Sequence, residues 1–184
     1  PQKSDHFLVW GERMSEYCKQ IGLDPQKFWI IGNPFFDDYH KTHSKLDTSK
    51  YVLLAAQGPT NFSLDDLQNS VFEKYIQSIK QICFLAKTFQ KQLIIKLHPD
   101  PNDLDLTKYL KTEYPEVIII KDGSMKELIQ NCEVFLCIDI STAILEAQLL
   151  KKPTISISVK ENLALSKSSI FAISKNTSKT SKVV

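Results

Sequence analysis

Arginine is nearly missing from this chain. Of its 23 basic residues only Arg13 is an arginine, and the lysines are scattered. Proteins that read nucleic acid cluster their positive charge and set arginine forks on base edges. A net charge of +2 without such clustering therefore argues against a nucleic-acid partner. Glycine is also scarce, at five residues. Neither a GxGxxG fingerprint nor a Walker A loop can be written with them, which removes two common phosphate cradles. The four cysteines, Cys18, Cys83, Cys132 and Cys137, form no CxxC pair. Three fall inside apolar helix or strand patterns, so they read as buried free thiols rather than a disulfide or zinc framework. His6, His40 and His43 have no metal-ligand spacing. No apolar run reaches the roughly 18 residues of a membrane span. The opening PQKSDHFLVW has too short an apolar core for a signal peptide.

What is present begins with Val134 to Ile157, VFLCIDISTAILEAQLLKKPTISI. It reads as an apolar strand (Val134–Ile138), a polar elbow (Asp139, Ser141, Thr142), and an amphipathic helix from Ala143 to about Leu150. A Lys151-Lys152-Pro153 break and a second apolar strand (Thr154–Val159) follow. That is a βαβ unit, and such units build parallel sheets. Ser141 and Thr142 can cap the helix. Free N–H groups of its first turn, with the macrodipole, would attract an anion. Glu146 lies one turn further in.

The rest of the chain repeats the alternation. Phe7–Val9 and Phe28–Ile31 read as strands around a helix from Glu12 to Gln20 that Gly22 stops. Gly32-Asn33-Pro34 is a turn, with Asp37 as the expected cap of the segment after it. Residues 41–50 are polar and aperiodic, a linker. Tyr51–Ala56 is a strand, Gln57 to Asn61 a loop, and Ser63 with Asp66 a capping box. The helix that follows carries an apolar stripe of Phe72, Tyr75, Ile76, Ile79, Ile82, Cys83, Leu85, Ala86 and Phe89. Leu93–Leu97 is a buried-type strand ending at His98-Pro99. Leu104–Leu110 is a short helix and Val117–Ile120 a strand. Asp122-Gly123-Ser124 then leads into a helix with Glu127 in the capping-box position. Ser169–Ile173 is a candidate last strand, and the Ser/Thr/Lys-rich end from Ser174 reads as frayed. Strands that are continuous apolar runs belong to a parallel sheet covered on both faces. The expectation is an α/β, Rossmann-like, doubly wound domain over 51–173. A strand–helix–strand remnant of another domain fills 1–40, a linker 41–50 and a tail 174–184.

The ordered set SDHFLVWGERMSEYCKQIGL, FWIIGNPFFD, YVLLAAQGPT, IIKLHPD and VIIIKDGSMKELIQNCEVFLCIDISTAILEAQLLKKPTISI resembles the second half of GT-B-type sugar-nucleotide enzymes. That group includes surface-polysaccharide glycosyltransferases, UDP-N-acetylglucosamine 2-epimerases and CDP-glycerol glycerophosphotransferases. The resemblance covers roughly residues 5–158. It implies two Rossmann-like domains facing a cleft, with the nucleotide held mainly by the second. Most of the acceptor-side, N-terminal half would then lie outside these residues and act as a partner. The donor would be a nucleotide-activated substrate, with no separate cofactor and no metal. The setting would be cytoplasmic, with peripheral contact to the inner membrane face left open.

The candidate site residues follow. Ser141 and Thr142 read as an ordinary helix cap or as donors to a diphosphate. Glu146 reads as a solvated carboxylate or, as the resemblance implies, the acceptor for both ribose hydroxyls. His98, delivered to the carboxyl edge of the sheet, is a loop histidine stopped by Pro99 or a phosphate ligand and proton carrier. Asp100 could orient it. Lys96 shares its side of the strand by alternation. Gln57 and Thr60, in a loop with one glycine and Pro59, could approach phosphates or sugar. Asp139 is turn chemistry or a phosphate-edge residue, and Asp122 to Ser124 a capped turn or, by resemblance, a neighbour of the base. The Ser141-Thr142-Ala143 elbow lacks the paired glycines of the epimerases and stands closer to the transferases. Catalysis by this chain alone is doubtful on this reading, and a non-catalytic binding domain remains the alternative from another class.

Overall fold

A computed structural model describes residues 4–40, 51–56, 66–100, 104–138, 141–157 and 159. Within 51–157 each apolar run becomes a strand: β3 (Tyr51–Ala56), β4 (Gln92–Leu97), β5 (Ile118–Ile120), β6 (Cys132–Ile138) and β7 (Thr154–Ile157). Before them, β1 (Phe7–Val9) and β2 (Phe28–Ile30) form a separate two-stranded sheet. The helices are α1 (Glu12–Gln20), α2 (Asp37–His40), α3 (Asp66–Thr88), α4 (Thr107–Leu110), α5 (Met125–Asn131) and α6 (Ala143–Leu149).

The five strands pair in the order β5-β4-β3-β6-β7, all parallel. A chain that winds outward from β3 to β5 and then returns to the other side at β6 is doubly wound. Its order reverses between β3 and β6, and the crevice outside the carboxyl ends of those two strands is where such sheets take ligands. The fold class expected from the sequence is therefore the one observed.

Strand alternation sends residues to two cores. Leu54, Ala56, Leu93, Ile95, Leu97 and Leu136 face α3 and α4 with Ile79, Cys83 and Leu110. Leu53, Ala55, Phe135 and Cys137 face the other way, under α5 and α6, with Ile129, Ile144 and Ala147. Phe135, Leu53, Ile79 and Ile144 are fully buried, each removing an apolar side chain from water for roughly 1.5–3 kcal/mol. Both faces of the sheet are covered, as unbroken apolar strands require.

Element bounds differ from expectation by a few residues. The short helix begins at Thr107 rather than Leu104, because Asp105 accepts the Thr107 N–H (3.0 Å) and turns the chain there. The α3 stripe is narrower than its sequence suggests: Leu85 is 51% and Phe89 70% exposed. Leu85 sits on the flank of the buried row Ile79, Ile82, Cys83 and Ala86. Phe89 lies past the helix end, where Gln90 turns with φ 52°. Asn33 caps the start of the segment before α2, its Oδ1 accepting the Phe35 N–H at 3.1 Å, and the Asp37 N–H closes the end on the Pro34 carbonyl. The expected strand at 169–173, the 41–50 linker, the Ser63–Asp66 box and the tail lie outside the described residues.

The small sheet is packed differently. Leu8 and Trp29 are register partners on one face, exposed by 59% and 54%. Only Val9 of its strand residues is buried.

Candidate active site

The cleft is built at the β4 end of the sheet edge. It holds about 320 Å³ and is lined by Ala55 and Ala56 of β3, by Lys96, Leu97, His98 and Pro99, and by Lys121, Asp122, Gly123 and Met125 across from them. Lys96 is its buried charge, 4% exposed. Its ammonium donates to the Lys121 carbonyl and, at 3.1 Å, to the Leu97 carbonyl. Burial holds its pKa below the ordinary lysine value, and the nearby Lys121 pushes the same way against the opposing pull of Asp122. The chain thus ties the exit of β5 to the end of β4 through a lysine side chain. The sequence reading placed Lys96 beside His98 as a ligand group. The structure gives its nitrogen two carbonyl partners on the cleft wall.

His98 is exposed at the rim. The Asp100 backbone meets the ring: its N–H donates to His98 Nδ1 at 3.2 Å. A neutral imidazole that accepts at Nδ1 carries its proton on Nε2. His98 therefore offers an N–H donor from the ring edge opposite the turn. Gly123, with φ 101°, permits the bend that carries the chain from β5 past the cleft. Ser124 Oγ then accepts the Glu127 N–H at 3.4 Å and starts α5, half of the expected capping box.

The elbow lies at the same edge. β4 and β6 flank β3, so the carboxyl ends of these two strands stand about 10 Å apart by strand spacing. Ser141 caps as expected, its Oγ accepting the Ala143 N–H at 3.3 Å. The next two amides are also used: Ile144 donates to the Ser141 carbonyl (3.1 Å) and Leu145 to the Thr142 carbonyl (3.0 Å). The first-turn donors expected to be open to an anion thus already have acceptors in their own turn. Thr142 is exposed and makes no side-chain cap.

Glu146 meets a residue the sequence reading passed over. Tyr39 is 6% exposed, and its hydroxyl donates to Glu146 Oε2 at 2.5 Å. Burial first, then the hydrogen bond and charge of Glu146, raise the Tyr39 pKa far above the ordinary phenol value. Lys126 of α5 lies over the Tyr39 ring, 4.8 Å from its centroid, and donates to the Asp38 carbonyl at 3.3 Å. Phe35, Phe36 and Tyr39 contact one another ring to ring. Their i, i+1, i+4 spacing just before a polar run was the available signal for a docked segment.

Gln57, Thr60 and Asp139 lie outside the described residues. By chain position, the loops that hold them leave β3 and β6, the two strands at the reversal point. Burial pushes the Cys83 thiol up to about 12 and the Cys132 thiol up to about 11, which makes neither a nucleophile at neutral pH. Among the described residues no three His, Cys, Asp or Glu side chains gather as a metal site, and no helix is long and apolar enough to cross a membrane.

No curated protein matches the sequence. Two solved structures are similar in part. One is the β-Kdo 2,4-transferase KpsC of Thermosulfurimonas dismutans, at 15% identity over 65% of this chain and 38% of that one, with a TM-score of 0.45. The other is the wall teichoic acid polymerase TagF, at 17% identity over 83% of this chain and 38% of that one, with a TM-score of 0.44. The chain thus spans 38% of the length of each. A family model, the LIC12162 family transferase, matches residues 2–169, and the chain belongs to that family of transferases.

Proposed function

We propose that this chain is the nucleotide-sugar-binding part of a GT-B-like glycosyltransferase of surface polysaccharide or glycolipid synthesis. The observation that carries the reading is the strand order. It reverses between β3 and β6, and His98, Ser141 and Glu146 all belong to the carboxyl edge that flanks this reversal.

The chemistry asked of these groups is modest. A departing nucleoside diphosphate must have its developing charge stabilised. The His98 Nε2–H donates to a phosphate oxygen, and the Lys96 and Lys121 ammonium groups outweigh Asp122 in the field of the cleft. Ser141 and Thr142 present hydroxyls to the diphosphate, with the α6 amides exchanging their internal acceptors for phosphate oxygens. Glu146 accepts the ribose hydroxyls through the carboxylate edge not engaged by Tyr39. Gln57, Thr60 and Asp139 belong to the same reading as loop contacts. The donor is the substrate, and no separate cofactor or metal enters. The β1–α1–β2 unit, with its exposed Leu8 and Trp29, serves as the edge of an acceptor-side domain completed by further chain.

Calorimetric titration with UDP, CDP and CMP tests the reading. Binding of a nucleoside diphosphate that weakens about tenfold in both Glu146→Ala and His98→Ala is the expected outcome. Equal affinity in wild type and Glu146→Ala removes the ribose assignment.

A further inference from the structure

We infer that Tyr39 is a positioning residue for ribose recognition: from α2, packed in the same core as α6, it sets the Glu146 carboxylate and so governs how strongly the site distinguishes a ribonucleotide from its deoxy form. The inference rests on the reading of Glu146 as the ribose acceptor and goes beyond it to a residue 107 positions earlier in the chain.

A glutamate on a helix has three rotatable bonds. Freezing them on binding costs free energy that a pre-set carboxylate has already lost in folding. Here the setting is done by one short contact, the Tyr39 hydroxyl on Oε2 at 2.5 Å. The phenol cannot follow a wandering carboxylate, because it is itself held on every side. Its ring is 6% exposed and belongs to the core with Ile144, Ala147 and Leu150. Phe35 and Phe36 lie against it at ring distances of 6.2 and 5.7 Å. Lys126 covers it and binds the carbonyl of Asp38. A carboxylate oriented by a fixed phenol offers its second oxygen along one direction. Two adjacent ribose hydroxyls need such a direction to bind as a pair.

The contact joins two segments remote in the chain. Tyr39 belongs to α2, which follows the two-stranded sheet, whereas Glu146 belongs to α6 beside the elbow.

The test is a ratio. The 184-residue chain is titrated with UDP and 2′,3′-dideoxy-UDP, and with CDP and its dideoxy form, in wild type, Tyr39→Phe, Glu146→Gln and the double variant. Each ratio compares two ligands on one protein sample, so a fraction of misfolded protein cancels. The expected result is a preference for the ribonucleotide of about tenfold in wild type, falling to about threefold or less in Tyr39→Phe and to near one in Glu146→Gln. The double variant then matches Glu146→Gln. A preference that survives Tyr39→Phe but is lost in Glu146→Gln overturns the inference and leaves the ribose reading standing. A preference that survives Glu146→Gln, or the absence of any preference in wild type, overturns the ribose reading and the inference together.

Discussion

The two ends of the site edge are built on opposite terms. At the β4 end a buried ammonium is held by backbone carbonyls, and the groups around it enclose an open cleft. At the β6 end the helix amides have internal acceptors and the carboxylate has a phenol. One end is shaped in advance for a ligand. The other must exchange partners, or share them, when a ligand arrives. Recognition that needs no rearrangement is therefore expected from the cleft, and selectivity from the elbow, where hydrogen bonds to the α6 amides compete with existing ones while Glu146 keeps its Tyr39 partner and offers its second oxygen.

Alkali separates the two ends most sharply, because their titrating groups act with opposite sign. On the elbow face Cys132 is raised to about 11, Tyr51 to about 12, and Tyr39 further. Each ionises first in the unfolded chain, so each withdraws stability once pH passes its ordinary value. Cys83, across the sheet, behaves alike. Lys96 does the reverse: its folded pKa lies below 10.5, so the unfolded chain holds the proton more tightly and stability rises with pH up to that value. The raised groups outnumber it. Stability from urea unfolding should fall by several kcal/mol between pH 9 and 12, at up to about 1.4 kcal/mol per pH unit for each group. Tyr51→Phe should make the decline between pH 10 and 12 shallower, and Lys96→Met should make it begin earlier.

Lys96→Ala is the next largest test. It removes the donor of two carbonyls and opens a cavity behind the cleft. A loss of about 2–4 kcal/mol is expected in urea unfolding. Tyr39→Phe, the matching change at the elbow, should cost less, about 1–2 kcal/mol, because Glu146 is only half-buried and water can take the vacated oxygen. If the order of these two losses is reversed, the Tyr39–Glu146 contact rather than the Lys96 bridge is the stronger tie.

Much of the fold was legible because its signals are local. Apolar runs such as Leu93–Leu97, and a Ser-Thr start followed by an amphipathic stretch at 141–150, read directly as strand and helix. The alternation implied parallel strands. It did not fix their spatial order, which depends on which edge each crossover reaches. The site was legible only by chain position. His98 and Ser141 follow strands, so the carboxyl edge was inferable. That Lys96 would bind carbonyls, or that Tyr39 would reach Glu146, depends on packing between segments remote in sequence, and no spacing rule encodes it. The same holds for Leu85 and Phe89, whose exposure reflects where α3 ends rather than its period.

The smallest predicted effect concerns how the elbow helix ends, and it returns to the scarcity of glycine. Among the described residues three helices finish with the same pair of backbone bonds. After α1, Gly22 donates to Lys19 and Leu23 to Cys18, at 3.0 Å each. After α3, Gln90 and Lys91 make the equivalent bonds, and after α6, Lys151 and Lys152 do. This closure needs a left-handed residue at its turn. Gly22 adopts φ 87° at no steric cost, whereas Gln90 and Lys151 hold φ 52° and 56° with side chains attached. A side chain in that region costs roughly 1 kcal/mol or more. Lys151 is exposed, so its side chain has little packing to lose. Lys151→Gly should therefore raise stability by about 0.5–1 kcal/mol, partly offset by the greater freedom of glycine in the unfolded chain, while Gly22→Ala lowers it by a similar amount. A loss on Lys151→Gly would mean that the lysine contributes to the structure around α6 more than it costs at this turn. The two residues after the elbow helix would then have to be counted with the elbow itself.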